Sequence, residues 1–206
     1  MIIGYGGFHP FSEYDLRSTL ERTLQVKRKE IENDPALTTA DEEEYIKQKV
    51  AANTVHSVVL DTENITVSQR EEQIPAEYLR GRFFVDEGRS YSKPVLTFHL
   101  PFTGDQTLLR CQASTRLLSG TDEIKVENGH ILFEVINHSN NAEEVAKARD
   151  DVVGHLKQQL GFLDNDINAH NTRLEDAIRE AVRNAKTKKQ QNSDFLSKLG
   201  NKRKNG

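Results

Sequence analysis

Nine positions in the last third of the chain constrain its fold more than any other feature. Val153, Leu156, Leu160, Leu163, Ile167, His170, Leu174, Ala177 and Ala181 follow one another at alternating intervals of three and four residues. Such spacing keeps one stripe of a helix apolar over about four heptads, with His170 its one polar member. A stripe of this length has to be covered. Either the helix lies within the chain's own core, or it meets a second helix as a coiled coil. Gly161 and the small Ala177 and Ala181 weaken a free-standing zipper, so the intramolecular arrangement is the simpler one. The coiled-coil alternative makes Val153, Leu156, Leu160, Leu163, Ile167, His170 and Leu174 a candidate interface, for a homodimer or a partner protein.

Ahead of this helix the pattern changes twice. Ser12, followed three residues later by Asp15, has the form of a capping box. Leu16, Leu20, Leu24 and Ile31 then share nearly one face until Asn33-Asp34-Pro35. Asp41 opens a second, shorter helix with Glu42, Glu43 and Glu44 in its first turn, where acids favour the positive end of the helix dipole. Tyr45, Ile46 and Val50 form its apolar side, and the pair reads as a helical hairpin over residues 12–54. From about residue 55 the period becomes two. His56–Leu60, Ile65–Ser68, Arg82–Val85 and Val95–Leu100 are strand candidates, with Ile74-Pro75 a break. DEIKVENGHILFEV, residues 122–135, has a hairpin pattern whose Asn128-Gly129 suits a type I′ turn. The expected fold is α+β: a helical hairpin, an antiparallel sheet of about six strands over 55–136, and a long amphipathic helix over 142–189. Together these make one domain, 1–189, followed by a basic tail or linker, 190–206.

Charge is distributed unevenly. Residues 183–206 carry eight Lys or Arg against Asp194 alone, a balance of +7, whereas the whole chain is at −4, leaving −11 for residues 1–182. A basic end of this kind contacts acidic partners or phosphates without sequence preference, so Arg183, Lys186, Lys188 and Lys189 are candidate nucleic-acid contacts. Cys111 is the only cysteine, which excludes an internal disulfide and a cysteine-based zinc cluster. The start of the sequence lacks the basic-then-apolar pattern of a signal peptide, and no run reaches membrane-spanning length. A cytoplasmic address without membrane contact is expected.

The densest group of chemically capable residues is HLPFTGDQTLLRC, 99–111. A phosphate loop needs several glycines or a lysine before a helix; this stretch has one glycine and strand patterns on both sides. His99 falls in a strand alternation, and Cys111 sits among Leu109 and Ala113 as a small apolar residue would. The stretch therefore reads as a corner joining two strands. Seven histidines show no metal-binding spacing. Glu123-Ile124-Lys125 matches the Glu-x-Lys element of metal-dependent nucleases, but it lies inside the Asn-Gly hairpin, where exposed alternating charges are ordinary. No catalytic residue, cofactor or metal is expected.

IPAEYLRGRFFVDEGRSY (74–91), VLTFHLPFTGDQTLLRCQAST (95–115) and SDFLSKLGNKRK (193–204) together resemble an uncharacterised bacterial domain that stands N-terminal to restriction-endonuclease-like or other effector domains. The resemblance spans about residues 55–204. It implies a sensing or assembly module of an antiphage or restriction-like system, acting on a nuclease-like effector without itself being an enzyme. Read this way, the chain self-associates or docks an effector through its long helix; the alternative is a nucleic-acid-binding accessory module.

Overall fold

The computed structural model describes residues 7–79, 86, 88–115 and 123–199. It is an α+β structure. The described residues fall into two compact units, one drawn from Met1–Leu16 and His56–Asn165, the other from Arg17–Val55 and Asp166–Gly206.

The first unit contains a five-stranded antiparallel sheet. Strand β4, Ser90–Thr103, is its spine, because β2 (Val59–Leu60) and β3 (Thr66–Pro75) both pair with it. On the other side of β4 lies β7, His130–Ile136, and beyond that β6, Lys125–Glu127. A separate parallel pair joins β1, Tyr14–Asp15, to β5, Cys111–Gln112. Pro94 and Pro101 bracket the β4–β7 ladder, which runs from Val95 opposite Ile136 to Pro101 opposite His130. At the ends of a ladder a missing N–H costs least, and the Pro94 carbonyl still accepts from the Asn137 N–H at 2.9 Å. The hairpin turn has the expected form, with φ of 49° at Asn128 and 75° at Gly129.

The two faces of the sheet differ. Phe98 and Leu100 on β4 stand opposite Phe133 and Ile131 on β7, all buried, with the two phenyl rings stacked at 5.3 Å. On the other face Val95 and Ile136 join Ile74 and Leu79 in a smaller apolar cluster. Between them and Leu132 that face is polar. The Arg70 guanidinium donates to both oxygens of Glu134 (2.8 and 2.9 Å), to Thr97 (3.0 Å) and to Glu72 (2.6 Å), tying β3, β4 and β7 together.

Helix α3 runs Ala142–Lys198, through the first part of the stretch read as a tail. Its early residues Val153, Leu156, Leu160 and Leu163 are buried in the first unit. In the second unit, α1 (Leu16–Asn33) and α2 (Glu42–Asn53) surround the later part of α3. Ile31, Leu37, Tyr45, Ile46, Leu174, Ile178 and Val182 form the centre of that core. Asn171 fastens the end of α2 to α3 by accepting from the Val55 N–H (3.1 Å) and donating to its carbonyl (2.9 Å).

Some expectations are corrected. Ser12 does not cap α1; its hydroxyl donates to the His9 carbonyl at 2.6 Å. Pairing of Tyr14–Asp15 with Cys111–Gln112 keeps the chain extended past Ser12 and defers the helix to Leu16. Of the candidate strand His56–Leu60 only Val59–Leu60 is strand, whereas the break at Ile74-Pro75 is where β3 ends. Arg82–Val85 lies outside the described residues.

Candidate functional site

All of the candidate site residues read from the sequence lie on α3 in two groups, and the structure adds a third on the same helix. The seam comes first. Val153, Leu156, Leu160, Leu163, Ile167 and Leu174 are each less than a tenth exposed within this single chain. His170 is half-buried, and burial together with the neighbouring Arg173 guanidinium pulls its imidazole below the ordinary histidine range. Those six side chains are therefore covered by the chain itself. A stripe that regular exists because the chain's own core needs it, and its atoms are already removed from water.

The basic group comes second. Lys186 Nζ lies 2.5 Å from a Glu42 carboxylate oxygen and Lys188 Nζ 3.9 Å from Glu32. Lys189 donates to the Asp34 carbonyl at 3.1 Å. Neither Lys189 nor Arg183 has a carboxylate partner among the described residues. Three of the four cations are thus turned toward α1, α2 and the turn between them. The acids at the start of α2, which sequence accounts for as helix-dipole partners, also compensate the basic end of α3. Arg179 repeats the pattern, with its guanidinium bridging Glu43 (2.6 and 2.7 Å) and Glu175 (2.8 Å) and so holding the Glu43 carboxyl below its usual range.

The third group was not singled out from the sequence as a site, although an i, i+4 apolar pair in a polar run was there to be read. Ala185 is the last buried residue of α3. Beyond it the helix continues to Lys198, with Phe195 63% and Leu199 54% exposed and Leu196 half-buried between them. Asp194 and Lys198 are the neighbouring charges, and in sequence Lys202, Arg203 and Lys204 follow; these last three lie outside the described residues. A phenylalanine and a leucine left in water on adjacent turns form an apolar edge with a basic border.

Against α2 lies an open groove of about 500 Å³. Ile46, Val50 and Ala51 supply apolar surface, while Asp41, Glu43, Glu44 and Glu175 outnumber Lys47 and Arg179 on its walls. The Asp41 carboxylate caps α2 by accepting from the Glu44 N–H at 3.0 Å, which fixes this rim.

The remaining reactive side chains have structural partners. Gly104, at φ +102°, turns the chain after β4. Asp105 then accepts from the Thr107 N–H at 2.9 Å and starts a 3₁₀ turn, Gln106–Arg110. The corner reading of 99–111 is what the structure contains. Burial, reinforced by the nearby carboxylates of Asp105, Asp15 and Glu13, pushes the Cys111 thiol up, opposite to what a nucleophile needs. His99 Nε2 is 3.1 Å from the Ser68 hydroxyl, and its ring lies edge-on to His130 at 6.5 Å. In Glu123-Ile124-Lys125, the Ile124 backbone bridges to Phe8 and Lys125 pairs with Glu127 at 2.5 Å. Among the described residues no group of three or more His, Cys, Asp or Glu is arranged to hold a metal ion, and no helix is long and apolar enough to cross a membrane.

No protein family, curated protein or solved structure matches the chain.

Proposed function

We propose that this chain is a non-enzymatic cytoplasmic assembly module that self-associates through the end of α3. The tip of one copy, carrying Phe195 and Leu199, enters the α2 groove of a second copy. The observation that carries the reading is the exposure of those two large apolar side chains on a helix end with no fully buried residue beyond Ala185 among those described. Isolated exposed leucines are ordinary, but an aromatic–aliphatic pair on one helix edge marks a contact surface.

Charge supports the choice of a second copy as the occupant. Residues 195–206 carry four cations, Lys198, Lys202, Arg203 and Lys204, and no acid. The groove carries four carboxylates against two cations. The tip cannot reach its own groove, because Glu175 and Phe195 are twenty residues apart on one helix, roughly 30 Å at 1.5 Å per residue. Reciprocal exchange of tips closes as a two-fold dimer, the commonest oligomer. Such a scaffold would present an effector in an antiphage or restriction-like system, the role implied by the resemblance of residues 55–204.

Light scattering on the purified chain tests this. The expected result is a dimer that weakens as salt rises and becomes a folded monomer when Phe195→Asp and Leu199→Asp are combined. A wild-type monomer at high micromolar concentration, or a dimer indifferent to both substitutions, refutes the assignment.

A further inference from the structure

A second groove, of about 780 Å³, lies between α1 and the later part of α3, within the helical unit. Arg17 and Arg22 border it from α1 and Arg173 from α3, with half-buried His170 and the carboxylates of Glu21 and Asp166 on the same walls. The pairing of arginines across the described residues makes this concentration unusual. Arg28, Arg70, Arg89, Arg110, Arg149 and Arg179 each hold a carboxylate. Arg17, Arg22, Arg173 and Arg183 have no carboxylate partner among the described residues, and three of these four line this one groove.

A carboxylate is present but does not take them up. Glu21 accepts from the Gln25 side-chain amide at 3.0 Å. Arg173 uses only its Nε, donating to the Ala169 carbonyl at 3.1 Å, and leaves its two terminal nitrogens for another acceptor. Arg17 and Arg22 both lie in the first two turns of α1 and border the same groove. Unpaired cations around one groove favour an anion within it, and the planar fork of arginine matches phosphate oxygens two at a time.

We infer that the α1–α3 groove binds a phosphate-bearing ligand of nucleotide size, held at its phosphates by Arg17, Arg22 and Arg173. The volume falls within the range of small-molecule sites, about 300–1,000 Å³. The carboxylates of Glu21 and Asp166 on the same walls favour a compact anion over a continuous polyanion, which would have to run past them. The site is independent of the α3 tip and of any dimer formed by it.

The test is calorimetric titration of the full chain with magnesium-free ATP and with tripolyphosphate, at constant ionic strength. Saturable binding is expected, weakened at least tenfold by Arg173→Ala and by Arg17→Ala. Arg183→Ala, at the unpaired arginine outside the groove, should leave it unchanged. Because the three groove arginines are exposed, the variants should keep the helix signal; if Arg173→Ala does not, Arg173→Lys keeps the charge and removes the fork. ATP binding more tightly than tripolyphosphate supports a nucleotide, and equal affinities support a polyphosphate group as the recognised part. Absence of saturable binding, or equal weakening by Arg183→Ala and Arg173→Ala, overturns the inference. So does a short DNA duplex that binds more tightly than ATP and shows the same Arg173 dependence.

Discussion

Replacing Asp34 by Ala should cost about 2.5–4.5 kcal/mol, a sum built from its contacts. One carboxylate oxygen accepts from the Ala36 N–H at 2.9 Å, capping the 3₁₀ turn Pro35–Thr38. Loss of such a cap costs about 1 kcal/mol. The other oxygen accepts from the Tyr45 hydroxyl at 2.8 Å and from Lys49 Nζ at 2.9 Å. Tyr45 is buried, so losing a charged acceptor there costs roughly 1.5–3 kcal/mol. The Lys49 pair is partly exposed and adds no more than about 0.5 kcal/mol after screening. Asp34→Asn keeps the cap and an acceptor for one partner, and should lose about half as much. The assay is urea unfolding followed by helix circular dichroism, in a double-mutant cycle with Tyr45→Phe. Coupling of at least about 1 kcal/mol is expected between residues in direct contact. A loss below about 0.5 kcal/mol for Asp34→Ala, or strict additivity with Tyr45→Phe, refutes the reasoning. The pH dependence supplies a second check. Lys49 first, then Tyr45 and the Ala36 N–H, lower the Asp34 carboxyl to about 2. A carboxyl lowered in the folded state stabilises it fully above the unfolded value, about 3.9, and that contribution is lost as pH falls through the folded value. The advantage of wild type over Asp34→Asn should therefore shrink between pH 4 and pH 2.

Two further outcomes follow from burial and backbone geometry. Leu160→Asp and Leu163→Asp place a charge where the side chains are 5% and 1% exposed; each should cost more than about 3 kcal/mol, seen as lost cooperative melting instead of a folded monomer. Gly104→Ala should lower stability by about 1–3 kcal/mol. Its Cβ would lie 2.6 Å from the Ser57 carbonyl oxygen at φ +102°, and a thermal melt unchanged by the substitution would contradict the close approach.

Local chemistry was legible in the sequence wherever one residue type had one use. Asn128-Gly129 made its turn, Asp41 capped its helix, and the seam from Val153 to Ala181 became the buried stripe of α3. Legibility failed where the deciding partner was distant. Lys186 and Glu42 stand 144 positions apart, so the basic end of α3 looked available until the hairpin was placed beside it. Ser12 and Asp15 have the letters of a capping box, yet Cys111–Gln112 claims that backbone as a strand. Strand β3 was read too short because Arg70-Glu71-Glu72 shows no alternation; side chains from Thr66 to Glu71 are exposed on both faces, so neither face imposes a period. Both grooves needed two elements side by side before their residues met.

Cys111 has a practical meaning for measuring any of this. Its thiol is 5% exposed, points at the Thr107 carbonyl from 3.5 Å, and is held in its protonated form. A single native thiol that alkylating reagents reach slowly leaves the surface chemically silent. A cysteine introduced at residue 197, beside the tip, or at residue 169, on the groove wall, would be exposed and react first and almost alone, so one fluorophore could report tip docking or groove occupancy separately.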